Sequence, residues 1–306
     1  MQAESGNMFE TTRPAGRLDP PSRKGVCMAV RYLLNHIVRP SLSVEDLLLE
    51  SGNLGTDGIE LRNDLGSPDP LGGASPHRIR EIAAALGQKI FSINALQRCD
   101  DASLQDRLRG ELEPLAELAL KIGVSAVVLC PVNDASDTRS EAERFRGLLS
   151  NLKAFAPVLQ NNGLAGLLEP LGFRHSALRS FTTALRAIGE SGAACYRCLI
   201  DSFHFAIGPE RFEDLPELPA AMIGLVHLSG VETATPLSDL TDADRVTVGQ
   251  EDRLESLELL AALRRNGYEG PVSLEPFSPE LQTLPIERWR ARIRESLSYL
   301  GMSARP

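Results

Sequence analysis

The 306-residue sequence predicts an α/β protein that folds as a single-domain (β/α)8 TIM barrel with a disordered N-terminal extension. Short apolar stretches of strand length alternate along the chain with amphipathic stretches of helical spacing. Strands that are apolar throughout form parallel sheets covered by their crossover helices, and eight such units can close into a barrel. The predicted strands span residues 30–36, 58–63, 89–96, 126–131, 164–170, 196–203, 222–229 and 271–277.

The stretches between the strands carry helix signals. Leu104, Leu108 and Leu112 repeat at helical spacing before the fourth strand, and Trp289 and Ile293 do so after the eighth. A serine at the start of such a stretch can cap free backbone N–H groups, and a glycine at its end adopts the left-handed conformation that stops a helix. These signals predict helix starts at Ser43 and Ser75 and helix ends at Gly87, Gly123 and Gly267.

The first 28 residues differ from the rest of the chain. They contain several glycines, prolines and charged residues and no hydrophobic periodicity, which predicts a flexible extension over residues 1–28. The stretch also lacks the apolar segment of a secretory signal. The barrel itself is expected over residues 29–306.

Composition argues against several classes of function. The net charge of -9 disfavours a nucleic-acid partner, because phosphate backbones are bound mainly through Lys and Arg. No apolar run approaches the roughly 20 residues that a membrane-spanning helix needs, so no membrane partner is expected. The five cysteines are odd in number and scattered, which is typical of a reducing compartment and predicts a cytoplasmic protein.

In four of the predicted strands, a residue that can bind a divalent metal closes the apolar run: Glu169, Asp201, His227 and Glu275. Each follows an apolar run, where a lone carboxylate would be costly to bury without a partner. The carboxyl ends of barrel strands meet at one face, so these side chains are predicted to converge on one cation. Three carboxylates and one imidazole favour Mn²⁺ and are compatible with Mg²⁺, Co²⁺ or Zn²⁺. Each residue alone could instead be a helix cap or a salt-bridge partner.

The segments around these residues resemble the xylose-isomerase-like TIM-barrel family. The resemblance rests on Glu169 with Pro170, the Asp-Ser-Phe-His stretch 201–204, His227, and the closing segment 266–277, NGYEGPVSLEPF. It covers nearly everything after residue 28. Within the family, the stretches 35–36, 60–64, 92–98 and 129–134 are most similar to inosose isomerases, also called 2-keto-myo-inositol isomerases.

This resemblance implies a divalent-metal-dependent isomerase that moves the carbonyl of a keto-inositol through an enediolate, as part of inositol catabolism. The family's metal ligands fall on the four strand-end residues, and its substrate-contacting histidine falls on His204. A substrate-binding arginine of related epimerases falls on Arg245. Barrels of this family often pair, so the resemblance leaves a homodimer open, although the sequence carries no interface signature.

The chemistry of such a site predicts Glu169 and Glu275 as the catalytic pair. A metal that binds a ketone oxygen and the neighbouring hydroxyl acidifies the adjacent C–H bond. One carboxylate then removes the proton and the other returns it, to the neighbouring carbon in an isomerase or to the same carbon in an epimerase. Polar residues at the ends of the early strands could bind substrate hydroxyls or serve as caps and salt bridges, namely His36, Glu60, Arg62 and Asn94.

Other activities remain open on the same scaffold. A ketose 3-epimerase would use the same apparatus, and an inosose dehydratase would expel a hydroxyl after the proton is removed. A DNA-repair endonuclease of this fold would need more metal ligands and a basic surface, which five histidines and a net charge of -9 do not supply. The absence of a Gly-rich phosphate cradle favours an unphosphorylated polyol or ketose as substrate.

One position departs from the family pattern. Many relatives carry an acidic residue three positions after the ligand histidine, where this chain has Gly230. The loop over residues 230–248 is therefore expected to recognise a different substrate from theirs.

Overall fold

The protein forms a closed barrel of parallel strands that pair in chain order, in a computed structural model that describes residues 32–301. The predicted (β/α)8 TIM barrel is confirmed. The predicted extension over residues 1–28 and the barrel limits at 29 and 306 lie outside the described residues. The strands are β1 (Tyr32–Asn35), β2 (Gly58–Arg62), β3 (Lys89–Leu96), β4 (Ala126–Leu129), β5 (Ala165–Leu168), β6 (Tyr196–Asp201), β7 (Ile223–Leu228) and β8 (Val272–Leu274).

Helices connect the strands and several of them begin and end at the predicted signals. The hydroxyl of Ser43 accepts a hydrogen bond from the backbone N–H of Asp46, and Gly123 ends the third helix with a φ of 80°. Ser75 precedes the second helix without forming a side-chain cap. The α-helices are α1 (Val44–Leu54), α2 (Pro76–Ala85), α3 (Gln105–Ile122), α4 (Glu141–Asn161), α5 (Phe181–Ser191), α6 (Ser202–Ile207), α7 (Ser256–Arg265), α8 (Pro279–Thr283) and α9 (Ile286–Tyr299).

The helices cover the outside of the barrel and bury the larger of its apolar cores. Trp289 of α9 is fully buried and its indole N–H donates to the carbonyl of Val38, which ties the last helix to the first strand-helix connection. No helix among residues 32–301 is long and apolar enough to cross a membrane. The cysteines in this range are free thiols: Cys99, Cys130, Cys195 and Cys198.

A second apolar cluster fills the inside of the barrel below the strand ends. Leu167, Leu199 and Leu225 contribute to it from β5, β6 and β7, together with Leu33 and Val128. Side chains alternate between the two faces of a strand, so the residue two positions after each interior leucine also points inward. Because the predicted metal ligands of these three strands occupy those positions, strand periodicity places them directly above an apolar layer.

We expect Leu199→Ala to lower the free energy of unfolding by about 2–5 kcal/mol, since it opens a cavity in this fully packed layer. Leu120→Ala is the matched control, because Leu120 is 60% exposed on α3. Its effect should stay within about 0.5 kcal/mol. Urea unfolding monitored by circular dichroism measures both, and equal losses would contradict the packing described here.

Candidate metal centre and active site

The carboxyl ends of β5 to β8 bring the four predicted metal ligands together. One donor atom from each of Glu169, Asp201, His227 and Glu275 lies within 4.8 Å of the others, and all four residues are buried. The sequence folds this way because neighbouring strands are in register there, with Asp201 of β6 beside His227 of β7. Glu169 and Glu275 each follow the last residue of their strand.

The imidazole of His227 lies at the centre of this cluster. Its Nδ1 atom is 3.1 Å from Glu275 Oε2, 3.5 Å from Glu169 Oε1 and 3.9 Å from Asp201 Oδ2. Although these distances are short, Nδ1 is not aligned for a hydrogen bond with any of the three oxygens. A buried nitrogen that faces several carboxylate oxygens without bonding to one fits a cation held between them.

The carboxylates around the His227 ring favour a positive charge at the centre of the cluster. Burial acts to lower the pKa of His227, but the carboxylates of Glu275 and Glu60 outweigh it and raise the pKa well above its usual value. Oxygen and imidazole donors together suit Mn²⁺ or Mg²⁺, and also Co²⁺ or Zn²⁺. The four residues therefore fit a divalent metal ion.

The two carboxylate oxygens of Asp201 have different partners, one in the backbone and one in the site. Its Oδ1 atom accepts hydrogen bonds from the N–H groups of Phe203 (2.7 Å) and His204 (3.1 Å), which begins α6. Its Oδ2 atom points to the site and accepts from Arg245 at 2.6 Å. Burial raises the pKa of Asp201, opposed by the charge of Arg245. Helix capping and metal ligation, which the sequence left as alternatives, are thus compatible in one side chain.

Arg245 reaches into the site from the loop after β7. It is only 1% exposed, and its Nη2 atom donates to Glu275 Oε2 at 2.8 Å as well as to Asp201. Its guanidinium carbon lies 5.1 Å from the centre of the Phe203 ring and 4.5 Å from that of Phe277. Burial lowers the pKa of Arg245, but Asp201 and Glu275 raise it above its usual range. The arginine is therefore a fixed cation.

Arg62 binds the other oxygen of Glu275. Its Nη1 atom donates to Glu275 Oε1 at 2.9 Å, while Nε and Nη2 form a fork on Asp64 at 2.8 and 2.6 Å. Asn94 Nδ2 approaches the same Oε1 atom at 3.4 Å. Burial acts to raise the pKa of Glu275, but the charges of His227 and Arg245 hold it well below its usual range. Glu275 is thus kept ionised.

Glu169 has a different environment from Glu275. Its Oε2 atom accepts a hydrogen bond from the thiol of Cys130 at 3.4 Å. Burial and the charge of Glu169 raise the pKa of this thiol well above its usual value, so Cys130 remains a neutral donor. Cys130 was not among the predicted site residues, although it follows the interior residue Val128 by two positions, and strand periodicity would have marked it as interior.

Glu60 lies on the far side of His227 from the cluster. Its Oε1 atom is 3.0 Å from His227 Nε2 and accepts a weak hydrogen bond from Asn35 at 3.4 Å. Its Oε2 atom accepts from the hydroxyl of Ser92 at 2.5 Å. Burial acts to raise the pKa of Glu60, but His227 and the hydroxyls of Ser273 and Ser92 lower it. Both carboxylate oxygens of Glu60 therefore contact protein groups.

The two other predicted histidines occupy different surroundings. His204 on α6 is buried between the rings of Phe173 and Phe203, at 5.2 and 5.4 Å, and its Nδ1 atom has no hydrogen-bond partner. His36 donates from Nε2 to the carbonyl of Leu42 at 2.9 Å, and burial lowers its pKa. The Nδ1 atom of His36 is likewise buried without a partner, so the two histidines differ in that only His36 forms a hydrogen bond through its ring, within its own loop.

Comparison with known proteins gives the family. Residues 50–301 match the family model described as xylose isomerase-like TIM barrel. This chain belongs to that family. It is also similar to a xylose isomerase domain-containing protein from Salmonella typhimurium, whose crystal structure superposes with a TM-score of 0.82 at 30% sequence identity. That similarity covers 89% of this chain and 97% of the other.

Two named relatives bear on activity. The chain is 26% identical to an inosose isomerase from Halalkalibacterium halodurans over 237 residues, which is 76% of this chain and 82% of that protein. It is 24% identical to a 3-dehydroshikimate dehydratase from Pseudomonas putida over 257 residues, which is 82% of this chain but only 39% of that longer protein. Relatives within the family therefore carry names of both isomerases and dehydratases.

We expect a divalent cation such as Mn²⁺ to raise the thermal unfolding midpoint of the purified protein, because it binds only the folded arrangement. At about 100 times its Kd the cation should add about 2.7 kcal/mol of stability. Asp201→Asn keeps the helix cap but removes a charged ligand, and it should abolish most of the shift.

The matched control is Asp100→Asn, because Asp100 is equally buried but pairs with Arg139 at 2.6 Å rather than with the cluster. This variant should retain the full metal-dependent shift. Differential scanning calorimetry with and without the cation compares the three proteins. An equal shift in wild type and Asp201→Asn would contradict the assignment of the centre.

Proposed function

We propose that this chain is a divalent-metal-dependent isomerase that moves the carbonyl of a keto-inositol of the 2-keto-myo-inositol type. The observation that carries the proposal is the convergence of donor atoms from Glu169, Asp201, His227 and Glu275 within 4.8 Å in a buried site. The similarity to an inosose isomerase over 76% of the chain supports the substrate class. Cytoplasmic location and a role in inositol catabolism belong to the same proposal.

The centre suits proton transfer next to a carbonyl. When bound, a divalent ion supplies a Lewis acid that stabilises negative charge developing on the substrate oxygens. The carboxylates of the centre are hard oxygen donors, which favour Mn²⁺. The remaining requirement is a pair of proton-transfer groups, which this chain supplies as carboxylates.

Glu169 and Glu275 take this role in the proposal. They come from β5 and β8, which are separated by two strands, so the carboxylates approach the site from different sides. One carboxylate takes the proton from the hydroxyl-bearing carbon, whose C–H electron pair becomes the double bond of an enediolate. The carbonyl oxygen receives the charge. Return of a proton to the former carbonyl carbon, with transfer of the neighbouring hydroxyl proton to the former carbonyl oxygen, gives the isomeric ketone.

The two buried arginines of the site are already paired with carboxylates, which favours an uncharged substrate. Arg62 is paired with Asp64 and Glu275, and Arg245 is paired with Asp201 and Glu275. A substrate carboxylate would need a cation that is not already neutralised, and it would add negative charge beside several buried acids. A keto-inositol needs only hydrogen-bonding groups, such as the buried, unbonded Nδ1 atom of His204.

A lyase of the inosose dehydratase type is the second candidate. The similarity to a 3-dehydroshikimate dehydratase over 82% of the chain favours it, since both reactions begin with proton removal next to a carbonyl. The two activities differ in the fate of the neighbouring hydroxyl. Mass spectrometry of the product separates them, because only a lyase releases water. A ketose 3-epimerase would be recognised by turnover of ketoses with inverted configuration.

We expect the Mn²⁺-loaded protein to incorporate deuterium from D₂O into 2-keto-myo-inositol and to form a product that has lost no water, as followed by NMR. Glu169→Gln and Glu275→Gln should each lower the exchange rate by at least about 100-fold, because each removes a proton-transfer group. Both variants should remain folded by circular dichroism.

Glu143→Gln is the control for these variants, since Glu143 caps α4 on the surface through Ser140. It should exchange deuterium at the wild-type rate. If metal-loaded wild type neither exchanges deuterium nor converts any keto-inositol, the isomerase proposal is wrong.

A further inference from the structure

We propose that Glu60 is a positioning residue for the metal centre, which holds the imidazole of His227 so that Nδ1 faces the other ligands. The proposal rests on the metal site of the proposed function and adds a residue outside the ligand set. Its basis is the placement of a buried carboxylate behind the ring, 3.0 Å from Nε2.

The two nitrogens of His227 face different partners. Nδ1 faces Glu169, Asp201 and Glu275, and Nε2 faces Glu60. The Nε2 contact is at hydrogen-bond distance, although the N–H bond does not point along it. A carboxylate at the second nitrogen of a metal-binding histidine fixes which nitrogen binds the metal and how the ring is turned.

Glu60 is itself held from several sides. Ser92 donates to its Oε2 atom, and Asn35 donates to its Oε1 atom and, at 3.0 Å, to Glu275 Oε1. Its side chain is fully buried. Asn35 thereby links Glu60 to a ligand on the opposite side of His227. These contacts leave Glu60 little freedom to move, which is the property that a support for the ring requires.

The barrel topology explains how Glu60 of β2 can contact His227 of β7. Going around the closed barrel, β1 and β8 lie between these two strands, so Glu60 reaches His227 across the interior rather than along one sheet edge. Gly58 stands two positions earlier on the same face, where an added Cβ would lie 2.0 Å from the carbonyl oxygen of Lys89. The close approach of β2 and β3 at Gly58 therefore fixes the strand from which Glu60 projects.

This assignment differs from the substrate-binding role that the sequence suggested for Glu60. A group that binds substrate hydroxyls needs an oxygen directed to the pocket, whereas both oxygens of Glu60 contact protein groups. The role of Glu60 is therefore to act through His227 on the metal.

The test compares Glu60→Gln with Glu50→Gln in the full-length protein. Glu50 is a matched control, because it is also a buried glutamate and forms an ion pair with Arg290 at 2.6 Å, between α1 and α9. Co²⁺ affinity is measured by competition with a chelator, and the visible absorption spectrum of the bound Co²⁺ reports the ligand geometry. Circular dichroism checks that both variants fold.

We expect Glu60→Gln to bind Co²⁺ about 10–100-fold more weakly than wild type and to change the Co²⁺ spectrum. Glu50→Gln should match wild type in both measurements. Wild-type affinity and spectrum in Glu60→Gln would overturn the proposal, as would equal weakening in Glu50→Gln.

Failure of the proposed function would look different. If wild type and Glu60→Gln differ in Co²⁺ binding as expected while the wild type fails to turn over keto-inositols, then Glu60 positions the ligand and only the assigned reaction is wrong. If wild type binds no divalent cation, both proposals fall.

Discussion

The site depends on holding several carboxylates together in a buried place. Glu60, Glu169, Asp201 and Glu275 are each at most 4% exposed at the mouth of the barrel. Buried charges persist only when opposite charges and hydrogen bonds compensate for the lost solvation. Two arginines supply part of that compensation, and the remaining negative charge is what a divalent cation would balance when the imidazole of His227 is neutral. Metal binding and the stability of this region are thus linked through the same groups.

The layered interior of the barrel makes this concentration of charge feasible. The leucines at 167, 199 and 225 seal the barrel directly below, so the charged groups form a single layer. A packed apolar layer excludes water from below and strengthens electrostatic interactions above it. The same layer gives the ligand-bearing strands a rigid base, which is what precise positioning of donor atoms requires.

Patterns local to the sequence were sufficient for the fold and for marking the four residues that the structure brings together. Each of Glu169, Asp201, His227 and Glu275 ends its own apolar run, so no knowledge of other segments was needed to mark it. The observed strands end earlier than predicted where the chain turns into the next element, as at Asp201, because residues after the strand already form a helix.

Contacts that join distant segments could not be read from such patterns. The rings of Phe203 and Phe277 around Arg245 depend on how loops and strands meet around the barrel. Glu60 was marked as a polar group at the site, but its contact with His227 crosses the barrel interior. Such distances follow from barrel closure and register rather than from spacing along the chain.

The loop after β7 is closed by a backbone pairing and is tied at its far end to the segment after β8. Gly230 pairs with Val246, and the carbonyl of Arg245 accepts from the N–H groups of Phe277 and Ser278, just beyond Glu275. The intervening segment, residues 231–244, lies between these two fixed points, and Arg245 directly after it stays in register with Asp201 and Glu275. Under the proposed function, a change of substrate preference through that segment would leave the candidate metal centre in place.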